Sequence, residues 1–294
     1  MEKNLEDEQL LPARWGQDRR LEFIEFRLQW EGRVNRSDLV NHFSISLPQA
    51  SLDLARYREI APANTSYDVV QKTYIASPSF TPVISKESAD DYLVRLWAAV
   101  TKTVDTSASF LGWTPPVDIV RDPARSVDAG ILRSFLLALR EKRMVRIDYQ
   151  SMTTDEPSKR AVSPHAFAFD GFRWHIRAFC HTRNGFRDFA IGRIRTATAG
   201  EITAVDPKAD LDWQNFAEAV IVPHPTLSPA QRRAVELDYC MKNGRLVLRV
   251  REALLFYHLE HLGLLESPEN SKKHIALENS TDLREFFEKH SISI

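Results

Sequence analysis

Residues 145–194 carry the feature that most limits the fold of this chain, because apolar and polar side chains alternate there with a period of two. Successive side chains of a strand point to opposite faces of a sheet, so this alternation predicts half-buried strands. The alternation recurs in four stretches, at residues 145–151, 161–169, 172–181 and 186–194. Four or five strands within about 55 residues predict a small antiparallel sheet or barrel.

The first 80 residues predict three helices followed by a hairpin. Apolar residues at helical spacing mark a helix at 17–31, a short second helix that ends near Phe43, and a third that ends near Glu59. Residues 67–75 then read as two short strands around a turn. This order is that of a winged helix-turn-helix, whose third helix enters the major groove of DNA.

The rest of the chain predicts further helices and a second mixed region. The predicted elements are helices at 85–103 and 127–142, a helix at 211–219, a proline-rich boundary at 222–229, strands at 235–241 and 245–250 around Asn243–Gly244, a helix at 252–262, a strand at 274–279 and a helix at 281–290. We therefore predict an α+β multidomain protein. Its parts are a winged helix-turn-helix DNA-binding domain at 1–80, a helical linker and dimerization region at 81–143, a β module at 144–205 and a small C-terminal α/β domain at 206–294.

Charge is distributed unevenly along the chain. The net charge is −1, and residues 1–80 hold ten Lys or Arg against twelve Asp or Glu. Residues 140–200 hold twelve Lys or Arg, ten of them Arg, against six Asp or Glu. Arginine suits planar, bidentate contact with phosphate or carboxylate, so the β module is predicted to bind an anion.

Several functional classes are excluded by what the sequence lacks. No apolar run reaches the roughly 20 residues of a membrane span, and the charged N-terminus does not resemble a secretory signal, so we expect a cytoplasmic protein without membrane partners. Two cysteines, Cys180 and Cys240, are too few for a disulfide framework or a cysteine-rich zinc site. Metal-binding, nucleophile-elbow and phosphate-loop motifs are also absent. We therefore predict no catalytic residues, no metal and no cofactor, and hence no enzyme.

The DNA-binding prediction rests on polar residues of the second and third helices and of the wing. Gln49 and Arg56 are of the types that read base edges, while Ser46, Ser51 and Asn64 are of the types that hold phosphate. The full set is Arg33, Asn35, Arg36, Ser46, Gln49, Ser51, Arg56, Asn64, Thr65 and Lys72. The alternative is a winged helix used for protein contacts, which the slight acidity of residues 1–80 favours.

The stretch RWHIRAFC predicts a ligand-binding face on the β module. On a strand, His175 and Arg177 share one face with Arg173, and Ile176 lies on the other. Two arginines and a histidine on one face are costly unless an anion sits there. Alternatively, these arginines are exposed and paired with Asp148, Asp170 and Asp188.

The middle module resembles the WYL domain, which is named for a Trp-Tyr-Leu motif. Trp174-His175-Ile176 stands at that motif, SPHAFAFDGFR precedes it, and RAFC and RDFAIGRI follow it. The resemblance implies an Sm-like β-barrel with a basic ligand-binding surface, between an N-terminal winged helix and a C-terminal extension. His175 departs from the motif tyrosine, and this change bears on the type of ligand.

The string PQASLDLARYREIAPANTSYDVVQKTY further resembles the recognition helix and wing of WYL repressors that accompany the BREX and CBASS anti-phage defence systems. This resemblance implies a homodimer on an inverted-repeat operator of double-stranded DNA, which represses the defence genes. It also implies an anionic small-molecule, nucleotide or nucleic-acid effector. The matched positions that would form the sensing surface are Ser151, His165, Arg173, His175, Arg177 and Arg193.

A second function remains open from the sequence. An Sm-like barrel with arginines and aromatic residues also suits RNA or single-stranded nucleic acid. Sequence-tolerant binding of oligonucleotides, with no preference for a duplex operator, would distinguish this function from repression.

Overall fold

The computed structural model describes residues 7–85, 87–103, 109–120, 123, 125–265, 274–283, 286 and 288. The chain divides into two compact units, Met1–Arg121 and Asp122–Ile294. Within the described ranges, no helix is long and apolar enough to cross a membrane. The predicted linker region at 81–143 is divided between the two units.

The first unit is a winged helix-turn-helix, as predicted. Its elements are α1 (Asp7–Glu31), β1 (Arg33–Val34), α2 (Arg36–Phe43), α3 (Leu47–Ile60), β2 (Thr65–Asp68), β3 (Thr73–Ala76) and α4 (Ala89–Thr101). The three strands form an antiparallel sheet of order β1-β3-β2. Phe23, Phe26, Leu39 and Leu54 are buried between the helices and the sheet.

Local signals in the sequence set the starts of α2 and α3. The Asn35 side chain accepts a hydrogen bond from the Asp38 backbone N–H, and the Asp38 carboxylate accepts one from the Asn35 N–H. This reciprocal pair fixes the first turn of α2. At α3 the Ser46 hydroxyl alone caps the helix, by accepting from the Gln49 N–H, and Pro48 occupies the first turn, where a missing N–H leaves no helical hydrogen bond unmade.

A fully buried carboxylate connects α1 to the segment that follows the wing. Glu25 is 0% exposed, and its oxygens accept hydrogen bonds from the backbone N–H groups of Val83 and Ile84, each at 2.8 Å, and from that of Ser85. The Tyr57 hydroxyl donates to the same carboxylate at 3.1 Å. Burial raises the pKa of Tyr57, and the nearby Glu25 adds to the shift, so this hydroxyl stays protonated. The wing, α1 and α3 therefore depend on one buried acceptor.

We expect Glu25→Gln to loosen this connection, because an amide N–H₂ would face backbone donors and leave buried polar groups unpaired. The expected loss is about 2 kcal/mol of stability in the first unit. Hydrogen exchange measured by mass spectrometry should show faster exchange of the amides at 83–85. Glu22→Gln, at a half-buried position on the same helix, is the matched control. Equal exchange in the two variants would contradict the role assigned to Glu25.

The second unit begins with one helix and a five-stranded antiparallel sheet. The elements are α5 (Ala129–Glu141), β4 (Arg143–Tyr149), β5 (Ser158–Phe169), β6 (Trp174–Cys180), β7 (Gly185–Ala190) and β8 (Ile194–Ile202), with strand order β7-β6-β5-β4-β8. Phe135 of α5 packs on the inner face of the sheet with Ile147, Ile176 and Phe189. The predicted period-two strands are confirmed, and β8 is the fifth.

A smaller α/β domain completes the second unit. Its elements are α6 (Leu211–Gln214), β9 (Phe216–Pro223), α7 (Pro229–Asp238), β10 (Leu246–Arg251), α8 (Glu252–His261) and β11 (Ile275–Leu277). The strands pair in the order β10-β9-β11. A separate core contains Ala219, Ile221, Leu255 and Leu259.

Two predictions in this domain are wrong. The helix expected at 211–219 ends at Gln214, and β9 follows it. The strand expected at 235–241 overlaps α7, because Ser228 and Gln231 form a capping box and Pro229 occupies the first turn.

The Asn-Gly turn is confirmed. Asn243 and Gly244 have φ values of +54° and +73°, and Lys242 pairs with Arg245 across the turn. The turn follows α7 rather than a strand. The helix predicted at 281–290 falls mostly outside the described residues; residues 281–283 are turns, and residues 286 and 288 are helical.

Candidate DNA-binding surface and arginine groove

Helix α3 is held against α1 by an ion pair on its inner face. The Arg20 guanidinium donates two hydrogen bonds to the Asp53 carboxylate, at 2.6 and 3.2 Å, and Asp53 is 0% exposed. Ala50, Leu54 and Tyr57 are buried on the same side of the helix. The opposite side of α3 therefore faces solvent in a fixed orientation.

The ten predicted DNA-contacting residues occupy three different environments. The exposed members are Arg33, Arg36, Ser46, Arg56 and Lys72; the half-buried members are Asn35, Gln49, Ser51 and Thr65; Asn64 alone is buried. The first two groups lie on α2, α3, β1 and the wing, at the positions where a winged helix meets DNA.

Asn64 has a structural environment that differs from the expected phosphate contact. Its side-chain amide donates to the Thr81 carbonyl at 2.7 Å and to the Tyr57 hydroxyl at 3.2 Å. Its oxygen accepts from the Thr81 N–H. All three bonds lie inside the protein, so Asn64 holds the base of the wing and is not placed to reach a phosphate.

The wing presents its tip to solvent. The Asp68 carboxylate accepts hydrogen bonds from the backbone N–H groups of Val70 and Gln71, at 2.8 and 2.9 Å, and this fixes the turn between β2 and β3. Val69 and Val70 are 75% and 87% exposed. Lys72 follows with a φ of +53°, so its exposed ammonium group stands beside the tip.

We expect Lys72→Ala to weaken DNA binding without loss of stability, because an exposed cation that contacts phosphate contributes through counterion release. The slope of log affinity against log salt should become smaller by about one for each Lys72 removed.

Asn64→Ala should instead lower the melting temperature of the first unit, because the Thr81 and Tyr57 groups lose their partners. A loss of stability in Lys72→Ala together with a loss of DNA affinity alone in Asn64→Ala would contradict the surface role of Lys72 and the internal role of Asn64.

On the outer face of the WYL-like sheet, Arg177 lies in a buried ion-pair network instead of facing a ligand. Its Nε and Nη2 atoms donate to Asp210 at 2.7 and 2.8 Å, and Nη1 donates to Asp188 at 3.3 Å. Arg177 is 5% exposed. Asp210 follows the sheet in the chain, so this pair attaches β6 to the segment that leads into the C-terminal domain.

Two histidines of the predicted sensing surface are also bound internally. His165 Nε2 lies 2.8 Å from Asp210, and His175 Nε2 lies 2.7 Å from Asp170. The His175 ring also stacks at a tilt on Tyr257 of α8, whose hydroxyl donates to Asp188. Of the alternative arginine pairings, those with Asp170 and Asp188 are observed, through Arg173 and Arg177 respectively, but Arg177 is buried and not exposed.

Of the remaining predicted ligand residues, Arg173 joins this network, because its Nε lies 3.2 Å from the Asp170 carboxylate that also holds His175. Ser151 lies in the loop after β4, where its hydroxyl contacts that of Thr153 at 2.9 Å. Arg173 and Arg193 line an open cavity at the edge of the sheet. The structure thus brings together only these two of the six residues around an accessible space.

Arg177 pairs with three aspartates, Asp188, Asp210 and, at 3.6 Å, Asp212, and the first two differ in their pKa values. Burial alone would raise the pKa of Asp210, but hydrogen bonds from Arg177 and His165 outweigh it and lower the pKa to about 2. Burial raises the pKa of Asp188 despite the attraction of Arg177 and His175. For Arg177, the two carboxylates overcome burial and raise the pKa. Asp210 is therefore the principal counterion.

We expect Asp210→Asn to destabilise the second unit more than Asp188→Asn at pH 7. Folding lowers the pKa of Asp210 from 3.8 to about 2. Its stabilisation, about 2 kcal/mol, is therefore present above roughly pH 4 and lost as the pH falls towards 2. Chemical denaturation from pH 2 to 7 should show this loss in the wild type and its reduction in Asp210→Asn. Equal destabilisation by both variants at pH 7 would contradict the assignment of Asp210.

Two adjoining cavities, which share Arg125 and Arg173, form what we call the arginine groove. One is about 330 Å³ and is lined by Arg125, Asp170, Phe172, Arg173, Tyr257, Glu260 and His261. The other is about 280 Å³ and is lined by Arg125, Ser126, Val127, Arg173, Trp174, Ala190, Gly192 and Arg193. Three arginines and no carboxylate line the second cavity among the described residues. Arg173 is paired with Asp170 of the first cavity at 3.2 Å, so the excess positive charge of this end comes from Arg125 and Arg193.

Sequence reasoning missed the groove residues that lie outside the strands. Arg125 precedes α5, and Tyr257 and His261 lie on α8, far from the WYL-like motif in the chain. Gly171 has a φ of +95°, and a side chain there would meet the His261 ring at 2.4 Å. In the sequence Gly171 indicates only a turn. In the structure the absence of a side chain there lets α8 approach the sheet, so this glycine is the one sequence signal for that contact.

A winged helix with an exposed recognition helix and wing, followed by a sheet with a basic groove, defines a DNA-binding regulator. Comparison with known families agrees in each part. Residues 16–98 match the winged helix-turn-helix domain of the BrxR transcriptional regulator, residues 130–199 match the WYL domain, and residues 216–283 match the C-terminal dimerization domain of BrxR.

Relatives match along most of the chain. The DNA-binding transcriptional repressor CapW of Stenotrophomonas maltophilia is 43% identical over 93% of both chains, and CapW of Escherichia coli (strain KTE188) is 40% identical over 92% of both. The proteasome accessory factor B/C of Arthrobacter aurescens matches with a TM-score of 0.30 and 17% identity, over 92% of this chain and 45% of that chain. That structural match is too loose to add to the sequence matches.

This chain therefore belongs to the family of BrxR-type winged-helix, WYL-domain transcriptional regulators. It is a DNA-binding transcriptional repressor with a C-terminal dimerization domain, and its family is not one of enzymes.

Proposed function

We propose that this protein, as a homodimer, represses anti-phage defence genes from an inverted-repeat operator, and that an anionic ligand in the arginine groove releases it. It would act in the cytoplasm, where the operator is. The observation that carries the ligand proposal is the cavity between Arg125, Arg173 and Arg193, whose described lining contains no acidic residue. Clustered guanidinium groups suit planar, bidentate contact with a phosphate or a carboxylate.

The aromatic residues of the groove support a nucleotide or a short nucleic acid as the ligand. Phe172 stacks on His261 with ring centroids 4.2 Å apart, and Arg125 lies 5.5 Å from the Phe172 centroid. Trp174 is half exposed beside them. Flat side chains next to arginines provide both a stacking surface for a base and charge for a phosphate.

The position of the groove supports a coupling between ligand and dimer. Tyr257, Glu260 and His261 line it from α8, which lies in the dimerization domain, while Arg173 and Arg193 line it from the WYL domain. A ligand that contacts the WYL domain and the dimerization domain at once binds most tightly to the relative position of the two domains in which all its contacts form. Release from DNA follows when that arrangement fits the operator less well than the unliganded one.

The second candidate, a single-strand nucleic-acid-binding protein, is favoured by the same arginines and aromatic rings. It leaves the exposed recognition helix and wing without a role, whereas repression uses both. We therefore treat a short single strand as one possible ligand of the repressor, to be tested beside mononucleotides.

Operator binding is tested with the duplex that lies immediately upstream of the protein's own gene. A gel-shift series should show a sequence-specific complex that weakens steeply with salt, on a site with half-sites about 34 Å apart or a multiple of that distance. Preferential binding to single strands over this duplex would support the second candidate instead.

We expect Arg173→Ala and Arg193→Ala to retain operator affinity but to lose release by ligand, because each removes a cation from the groove. The measurement is operator affinity in the presence of nucleoside mono-, di- and triphosphates and of short single-stranded oligonucleotides. Arg187→Ala, an exposed arginine on β7 outside the groove, is the control and should respond as the wild type does. Loss of release in the control as well, or full release in both groove variants, would contradict the proposal.

A further inference from the structure

The outermost face of α3 is apolar except at its C-terminal end, where Glu59 lies. Ala50, Asp53, Leu54 and Tyr57 define its buried side. An α-helix turns by about 100° per residue, so the side of α3 opposite to them carries Pro48, Leu52, Ala55 and Glu59, all exposed. Leu52 is 63% exposed and is the largest apolar side chain on this line. A recognition helix that enters a groove therefore presents Leu52 first.

The polar residues beside Leu52 already have partners within the first unit. The Gln49 amide donates to Asp53 at 3.1 Å, and the Ser51 hydroxyl donates to the Leu47 carbonyl at 3.0 Å. Arg56 pairs with Glu59 at 2.9 Å. Base reading through Gln49 would break its bond to Asp53, which also holds Arg20, whereas Leu52 makes its contact without giving up a bond.

We propose that Leu52 reads the operator by packing on the 5-methyl group of a thymine in the major groove. This inference rests on the DNA-binding function and names a specificity-determining residue for it. The thymine methyl is the one apolar group that a base pair shows in the major groove, so an exposed leucine at the centre of a recognition helix discriminates T·A from C·G without a hydrogen bond. Pro48 and Ala55, one turn to either side, extend the apolar line and exclude water from the contact.

The test uses the full-length protein and a duplex that it selects from a random-sequence library. Each thymidine of the selected duplex is replaced in turn by deoxyuridine, which lacks only the 5-methyl group. At one position or two adjacent positions in each half-site, the wild type should bind the deoxyuridine duplex about fourfold more weakly. This ratio corresponds to about 0.8 kcal/mol, as for one buried methylene-sized group.

Leu52→Ala should bind the thymidine and deoxyuridine duplexes equally at that position, while other positions keep their wild-type preferences. Alanine favours helix, and the side chain is exposed, so the variant keeps its fold. Leu136→Ala, which removes a 52% exposed leucine from α5, outside the winged helix and the dimerization domain, is the matched control and should keep the fourfold ratio.

Two results would overturn the inference while DNA binding stands. One is a wild-type protein that is insensitive to deoxyuridine at every position, and the other is a Leu52→Ala variant that keeps the full ratio. Failure to select any duplex would overturn both the inference and the DNA-binding function on which it rests.

Discussion

The ion pair between Arg177 and Asp210 is the interaction on which the second unit depends. A guanidinium on the outer face of β6 is costly to bury, and only a carboxylate with two well-placed oxygens compensates for its lost hydration. Because Asp210 must reach Arg177 on β6, the chain has to return to the sheet at residue 210 after it leaves β8. The same segment begins α6 and leads into β9, so the C-terminal domain is positioned by the partner of one arginine.

The network around Arg177 divides the basic residues of the sheet into buried ones and accessible ones. Three of the basic residues on the WYL-like face, His165, His175 and Arg177, are paired with aspartates and are almost fully buried. The accessible cations lie at the edge of the sheet, around Arg173 and Arg193. The histidine at the motif's middle position belongs to the first group: it links Asp170, next to the groove, with Tyr257 of α8.

Local patterns predicted the fold well where one face of an element is buried. The strands at 145–194, the three N-terminal helices and the Asn243–Gly244 turn follow from periodicity and turn chemistry alone. The strand predicted at 235–241 is wrong because alternating apolar residues also occur in α7, where the Ser228 cap decides the conformation. The site was harder to predict, because residue type does not reveal partners far away in the chain. Asp210 lies 33 residues after Arg177, and Thr81 lies 17 after Asn64.

A homodimer holds two copies of the arginine groove, so the proposed ligand would act at two equivalent sites. Moving an equilibrium from 1:99 to 99:1 requires a preference of about ten-thousandfold for the released form. Two equivalent sites acting on one equilibrium need about a hundredfold each, since their preferences multiply. Occupancy of one site alone would leave the two forms nearly balanced. Derepression would therefore rise steeply around a threshold ligand concentration, and a trace of the ligand would leave the genes silent.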